Sequence, residues 1–144
     1  WDILITIACA LAISRAMVNS GLADFIAAHV IDFANGVSPW TVLVVLYITT
    51  NIITELITNN AAAAFAFPIA MSAAQQLGVD PMPFFVAICI ASSASFSSPI
   101  GYQTNLIVQG IGNYRFKDFV RVGLPLNIIT FVLSIVLIPL FWDF

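Results

Sequence analysis

Long apolar runs alternate with short polar breaks along this chain, and the run lengths set the elements. Ile3 to Val18 is apolar but falls short of the about 20 residues of a spanning helix. Trp1 and Asn19-Ser20 extend it into the interfaces, so a transmembrane helix is predicted over 1–20. From Gly21 to Asn35 the apolar Leu22, Phe25, Ile26, Ile31 and Phe33 alternate with Asp24, His29 and Asp32. That pattern predicts an amphipathic helix lying along the interface, over 21–37. Ser38-Pro39 then supplies an N-cap with proline at the first helical position, and a helix runs to about Ile57. Asn59-Asn60 interrupts it, Ala61 to Ala64 restart a helix, and Gly78 stops that one, which makes 38–77 a helical hairpin. Asp80-Pro81 opens a further helix that Pro99 and Gly101 break, and a second half-helix runs from about Thr104-Asn105 to Ile111. Together these predict a broken transmembrane helix over 80–113. A polar loop over 114–121 leads to a last transmembrane helix over 122–144, with Trp142 at its far interface.

Composition agrees with this pattern. Of 144 residues 61% are hydrophobic and 8% charged, too few charges for a soluble domain, which carries roughly a quarter. The fold class expected is therefore an all-α membrane protein. Seven acids against four bases give a net charge of −3 and no basic stripe, which excludes nucleic-acid binding. Cys9 and Cys89 lie within apolar runs and match no metal or redox spacing. The chain opens on Trp1-Asp2 with neither Met nor a basic leader, and reads as a fragment of a longer protein. Arg115, Lys117 and Arg121 fall in one loop. Positive-inside bias places that loop in the cytoplasm and the hairpin entrance outside, with Arg15 weighing against it.

Chemistry concentrates at the two breaks. In hydrocarbon every backbone N–H and C=O needs a partner, so a helix that breaks at membrane depth does so where freed groups face an ion, a substrate or water. Tyr47, Asn51, Thr54, Glu55 and Thr58 fall at spacings of four and three, a polar stripe aimed at the hairpin tip. The first arm ends in carbonyls of partial negative charge, and Thr54, Thr58 and Asn59 add neutral oxygens of the kind that suit Na⁺. The second arm, from Asn60-Ala61, and the half-helix from Thr104-Asn105 present N–H groups that suit anions.

These residues resemble the divalent anion:sodium symporters and their citrate-transporter-like relatives. The resemblance rests on Thr54-Glu55, on Thr58-Asn59-Asn60 at the hairpin tip and on Pro99-Ile100-Gly101 through Asn105, in that order, and covers nearly the whole chain. It implies the C-terminal inverted repeat of a secondary transporter, with a helical hairpin and a broken transmembrane helix. The missing N-terminal half would carry the matching hairpin, and the whole would be a multi-pass homodimer of the cell inner membrane. It further implies a Na⁺ site on Thr54, the Ile57 carbonyl, Asn59 and the Gly101 carbonyl. Substrate contacts would fall on Asn59, Asn60 and the Gln103 region, Gln103, Thr104 and Asn105. Two positions depart from the family pattern: Asn60 stands where Thr is usual, and Tyr102-Gln103-Thr104 replaces a Thr-Pro-Pro of dicarboxylate members. Both lie on the substrate side.

Plainer roles compete with these. Asn59 and Asn60 are good N-caps for the second arm. Glu55 is a coupling group, an orienter of the tip, or a partner of nearby backbone. Ser92, Ser93, Ser95, Ser97 and Ser98 suit close helix packing. Gly101 serves as a hinge or as a point of close backbone approach. His29, the only histidine, sits in the interfacial segment, so a serine–histidine hydrolase finds no support. The reading is a carrier rather than an enzyme: Na⁺-coupled symport of a small divalent anion such as a dicarboxylate, citrate or sulfate. A proton-coupled carrier with Glu55 as the coupling residue is the alternative, and an ion channel a more distant one.

Overall fold

A computed structural model describes residues 2–33 and 38–144. Trp1 and the end of the expected interfacial segment, 34–37, lie outside the described residues. Seven helices and no strand are present among the described residues: α1 (Asp2–Asn19), α2 (Leu22–Phe33), α3 (Pro39–Leu56), α4 (Asn59–Leu77), α5 (Met82–Ser93), α6 (Gln103–Gly112) and α7 (Phe116–Phe141). The protein is an all-α membrane protein, and its helix lengths say how. At 1.5 Å per residue α3 is about 27 Å long and α7 about 39 Å, near or beyond the about 30 Å of a hydrocarbon core. α5 and α6 reach only about 18 and 15 Å, so neither crosses by itself. α3 and α7 are apolar enough to span, and α1 with α2 count as a third span only if taken as one element bent by 74°.

Local chemistry sets the ends. The Ser38 carbonyl accepts from the N–H of Thr41 (3.0 Å) and of Val42 (3.3 Å), and Pro39 follows where no N–H is needed. α3 stops at Ile57, whose backbone is extended (φ −130°, ψ 177°), and α4 resumes one residue later after Thr58 (φ −68°, ψ 148°). Ile57 and Thr58 therefore make the whole hairpin tip. Gly78 ends α4 in the left-handed conformation, φ 69°. Asp80 Oδ1 accepts from the N–H of Met82, the first residue of α5, at 2.8 Å, and Pro81 is the N-cap. Asn113, also left-handed, ends α6.

α7 begins at Phe116, well ahead of the Val122 expected from hydropathy. Arg115 to Arg121 reads as a loop because it is polar, but Asp118 Oδ2 accepts from the N–H of Arg115 at 2.8 Å and the Asp118 N–H donates to the Arg115 carbonyl at 2.9 Å. A capped first turn is thus built from residues that a hydrophobicity pattern treats as connection.

α4 is the central helix, in contact with α1, α2, α3 and α5. Its buried face is mostly alanine, Ala62, Ala66, Ala70, Ala73 and Ala74, so neighbouring backbones approach closely. Tyr47, Phe84, Leu43 and Ile88 fill the space between α3, α4 and α5. Asp24 on α2 is tied to α4: Ser72 Oγ donates to its carboxylate, and Gln76 Nε2 donates to its backbone carbonyl at 3.3 Å. α6 differs from the rest. Among the described residues it packs on no other helix and buries none of its side chains. The outer face of α7, with Val122, Ile128, Ile129, Val132, Leu133 and Val136 all about half-exposed or more, is an apolar surface suited to hydrocarbon or to further protein.

Candidate functional site

Breaking a helix inside a membrane leaves its last carbonyls without partners, and α5 ends in that position. The polar stripe of α3 lies against this end. Asn51 Nδ2 donates to the Ala94 carbonyl (2.7 Å) and the Ala91 carbonyl (3.3 Å), and Thr54 Oγ1 donates to the Ser92 carbonyl (2.6 Å). Ser95 Oγ returns a bond to the Thr54 carbonyl at 3.2 Å. The stripe thus satisfies the broken helix before it does anything else, and Asn51 spends its donor entirely on that task. Tyr47, the first residue of the stripe, is buried in the helix core rather than at the break.

Residues 94–102 cross between α5 and α6 and are held from three sides. Asn105 Nδ2 donates to the carbonyls of Ser98 (3.1 Å) and Ser95 (3.2 Å). Glu55 Oε1 accepts from the Ser97 N–H at 3.0 Å and from Asn127 Nδ2 at 2.7 Å. Asn127 Nδ2 also donates to Ser97 Oγ at 2.9 Å. Ser98 Oγ accepts from the Ile100 N–H at 3.1 Å. Gly101 is buried where a Cβ would collide with Ser95 Oγ and the Thr54 carbonyl oxygen, so its backbone lies against α3 only because it lacks a side chain.

The hairpin tip comes to the same place. Thr58, not Asn59, is the N-cap of α4, and it makes no side-chain capping bond. Asn59 is already the first helical residue, and its half-buried side chain turns away from its own helix toward Thr54. In one amide orientation Asn59 Oδ1 lies 2.9 Å from Thr54 Oγ1, whose single proton is already given to the Ser92 carbonyl. In the other, Asn59 Nδ2 lies 2.9 Å from Thr54 Oγ1, 3.1 Å from the Ser92 carbonyl and 3.2 Å from the Gly101 carbonyl. Three oxygens from three segments therefore surround one amide atom. Hydrogen bonding places the nitrogen there, donating to these oxygens.

The fold thus brings together Thr54, Asn59 and Gly101, with Glu55 beside them. Ile57 lies at the tip, with its N–H bonded back to the Ile53 carbonyl at 3.0 Å. Asn105 joins the cluster through the backbone of the break. Thr58, Asn60, Gln103 and Thr104 are exposed and make no side-chain hydrogen bond among the described residues. A mainly apolar cleft of about 390 Å³, which none of these four lines, lies between α6 and the start of α7, bounded by Phe96, Asn105, Val108, Tyr114, Val122 and Leu126. No group of three or more His, Cys, Asp or Glu side chains able to hold a metal occurs among the described residues. His29, exposed on α2, bonds the Phe25 carbonyl at 2.8 Å.

Sequence reasoning missed two parts of this arrangement. The Ser92 carbonyl is a backbone atom and leaves no mark in the residue pattern. Asn127 does leave one: it is a lone amide within the apolar run of the last span, and an amide in such a run needs a partner.

Comparison with known proteins places this arrangement in context. A family model described as citrate transporter matches residues 1–143. An uncharacterized transporter of Synechocystis sp. is 39% identical over 142 residues, 99% of this chain and 23% of the relative. Sodium/sulfate cotransporter 1 of Chlamydomonas reinhardtii is 40% identical over 129 residues, 89% of this chain and 15% of the relative. A sodium-dependent dicarboxylate transporter of Staphylococcus saprophyticus is 28% identical over 138 residues, 96% of this chain and 26% of the relative. The chain accordingly spans at most about a quarter of the length of these curated relatives.

Proposed function

The chain belongs to the citrate transporter family, and on that premise we propose that it forms the C-terminal half of the solute site of a Na⁺-coupled carrier of small divalent anions. The carrying observation is the meeting of Thr54 Oγ1, the Asn59 amide and the Gly101 carbonyl at one point, between a helix that ends and a helix that begins. Neutral hydroxyl, amide and carbonyl oxygens are hard ligands, and unwound backbone at a helix C-terminus is where membrane carriers hold Na⁺. The Ile57 carbonyl completes the set. When no cation is bound, the Asn59 amide nitrogen occupies the oxygen cluster; when Na⁺ binds, the amide turns its oxygen inward. Cation binding and the position of the hairpin tip are thereby linked through one side chain.

The anion belongs on Asn59 and the exposed Asn60, Gln103 and Thr104, at the starts of α4 and α6, where the first-turn N–H groups favour negative charge. Asn105 contributes by holding the break. The relatives that carry sodium and sulfate, or sodium and dicarboxylate, in their names support this pairing of solutes. An N-terminal half with a matching hairpin supplies the rest of the site, in a homodimer of the cell inner membrane.

A proton-coupled carrier is the second reading. It is favoured by Glu55 Oε2, which is buried and has no hydrogen-bond partner among the described residues. Uptake of radiolabelled succinate, citrate and sulfate into proteoliposomes of the full-length protein separates the two. Concentrative uptake of one of them driven by an inward Na⁺ gradient is expected. Accumulation driven by protons and indifferent to Na⁺ would move the coupling role to Glu55.

A further inference from the structure

We propose that Asn127, on the last helix, is a positioning residue of the transport site: its amide fixes Glu55 and Ser97, and through them the segment 94–102 that presents the Gly101 carbonyl. This inference rests on the Na⁺-site reading and adds to it an element, α7, that holds none of the proposed ligands.

Asn127 is 8% exposed in an otherwise apolar stretch of α7. Burying an unbonded amide there would be costly, and both of its donor contacts go to the site. Nδ2 donates to Glu55 Oε1 at 2.7 Å and to Ser97 Oγ at 2.9 Å, while the Ser97 N–H donates to the same carboxylate oxygen at 3.0 Å. One oxygen therefore joins the first hairpin arm, the break and the last span. Among the described residues no basic side chain bonds Glu55, so these two N–H groups hold its carboxylate.

One turn earlier, on the same face of α7, Gly123 lies buried against the break. A Cβ at Gly123 would collide with the Phe96 carbonyl and with Ser97 Cα. Glycine at 123 allows contact between the two backbones, and the amide at 127 ties what the contact brings together. Ser95, two residues along the same segment, is bonded to the Thr54 carbonyl. With the segment fixed at 95 by α3 and at 97 by Glu55 and α7, the place of the Gly101 carbonyl relative to Thr54 and Asn59 is set. Asn127 thus acts at a distance, by removing freedom from a loop whose carbonyl must meet a cation.

Two readouts test this in the full-length protein. The first needs no transport: labelling of Ser98→Cys by a membrane-impermeant maleimide, with the native cysteines replaced. Ser98 is buried beside Ser97 and should react slowly. Asn127→Ala and Asn127→Leu, which both lack the donor, should each speed labelling about tenfold, the scale of one lost hydrogen bond. The second readout is the Na⁺ concentration for half-maximal uptake, which should rise about tenfold while the rate at saturating Na⁺ stays within about threefold. Unchanged labelling with an unchanged Na⁺ requirement overturns the proposal. A lower maximal rate with unchanged labelling also overturns it, since that marks mere packing. Should neither variant reach the membrane, Gly123→Ala, which forces α7 off the segment, must give the same two shifts. Failure of the Na⁺-site reading is distinguishable: wild-type uptake would then ignore Na⁺ whatever the labelling shows.

Discussion

The two helix breaks meet at Thr54, yet they are built in opposite ways. The break over 94–102 is long and heavily bonded: Asn51, Thr54, Glu55, Asn105 and Asn127 all bond its backbone or side chains or the carbonyls at the end of α5. The hairpin tip is only Ile57 and Thr58. Its Thr58 is exposed, and the polar side chain that turns inward beside it, that of Asn59 at the start of α4, faces oxygens on three sides. A membrane protein cannot leave backbone unpaired in hydrocarbon, and here side chains from α3, α6 and α7 bond the long break while the Asn59 amide alone bridges the short tip to it. In the proposed reading the long break is the wall of the site, and the tip is where a solute exchanges for the hydrogen bonds of Asn59.

Substitutions at the two breaks should therefore differ in kind. Asn59→Ala removes a proposed ligand, and a loss of about 2–3 kcal/mol of ion binding corresponds to a fall in uptake at limiting Na⁺ of roughly 30- to 150-fold. Membrane insertion of this variant should be normal, and wild-type uptake would break the comparison at its centre. Gly101→Ala lies where wall and tip meet. Overpacking against Ser95 and the Thr54 carbonyl, at about 1–3 kcal/mol, should lower uptake about tenfold and also lower the melting temperature of the purified protein.

Asn51→Leu touches the wall alone. It leaves the Ala91 and Ala94 carbonyls without their side-chain donor and should cost about 1–3 kcal/mol of stability. Its Na⁺ requirement, measured on the protein that remains folded, should stay close to wild type. A large change there would show that wall and tip are not separable. The smallest effect belongs to Gln103→Ala, on the exposed anion side. There the concentration for half-maximal uptake should change by less than about tenfold and differently for sulfate and citrate, with Na⁺ dependence unaltered.

Much of this was legible in the sequence because membrane burial makes polar residues conspicuous. The stripe Asn51, Thr54, Glu55 points at the tip, and proline, glycine and asparagine mark the hairpin and the broken helix. What the stripe does first was not legible: it bonds carbonyls of α5, and which carbonyls are orphaned depends on where a helix stops in space. The start of α7 was misjudged for a related reason, since Asp118 caps a turn whose residues are polar. Asn127 was visible as a lone amide, but its partners lie 72 and 30 residues away in sequence. No local pattern carries that information.

The central claim is that Thr54, Asn59 and Gly101 bind Na⁺ at the hairpin tip. It is tested most directly by maleimide labelling of Ile57→Cys in the purified full-length protein, with Na⁺ replaced by choline at constant ionic strength. Ile57 is proposed to contribute its carbonyl, which cysteine retains, and its side chain is 41% exposed. Na⁺ should slow the labelling, and Thr54→Val, which removes the hydroxyl oxygen, should abolish that protection. Labelling that ignores Na⁺, or protection that survives Thr54→Val unchanged, would contradict the account.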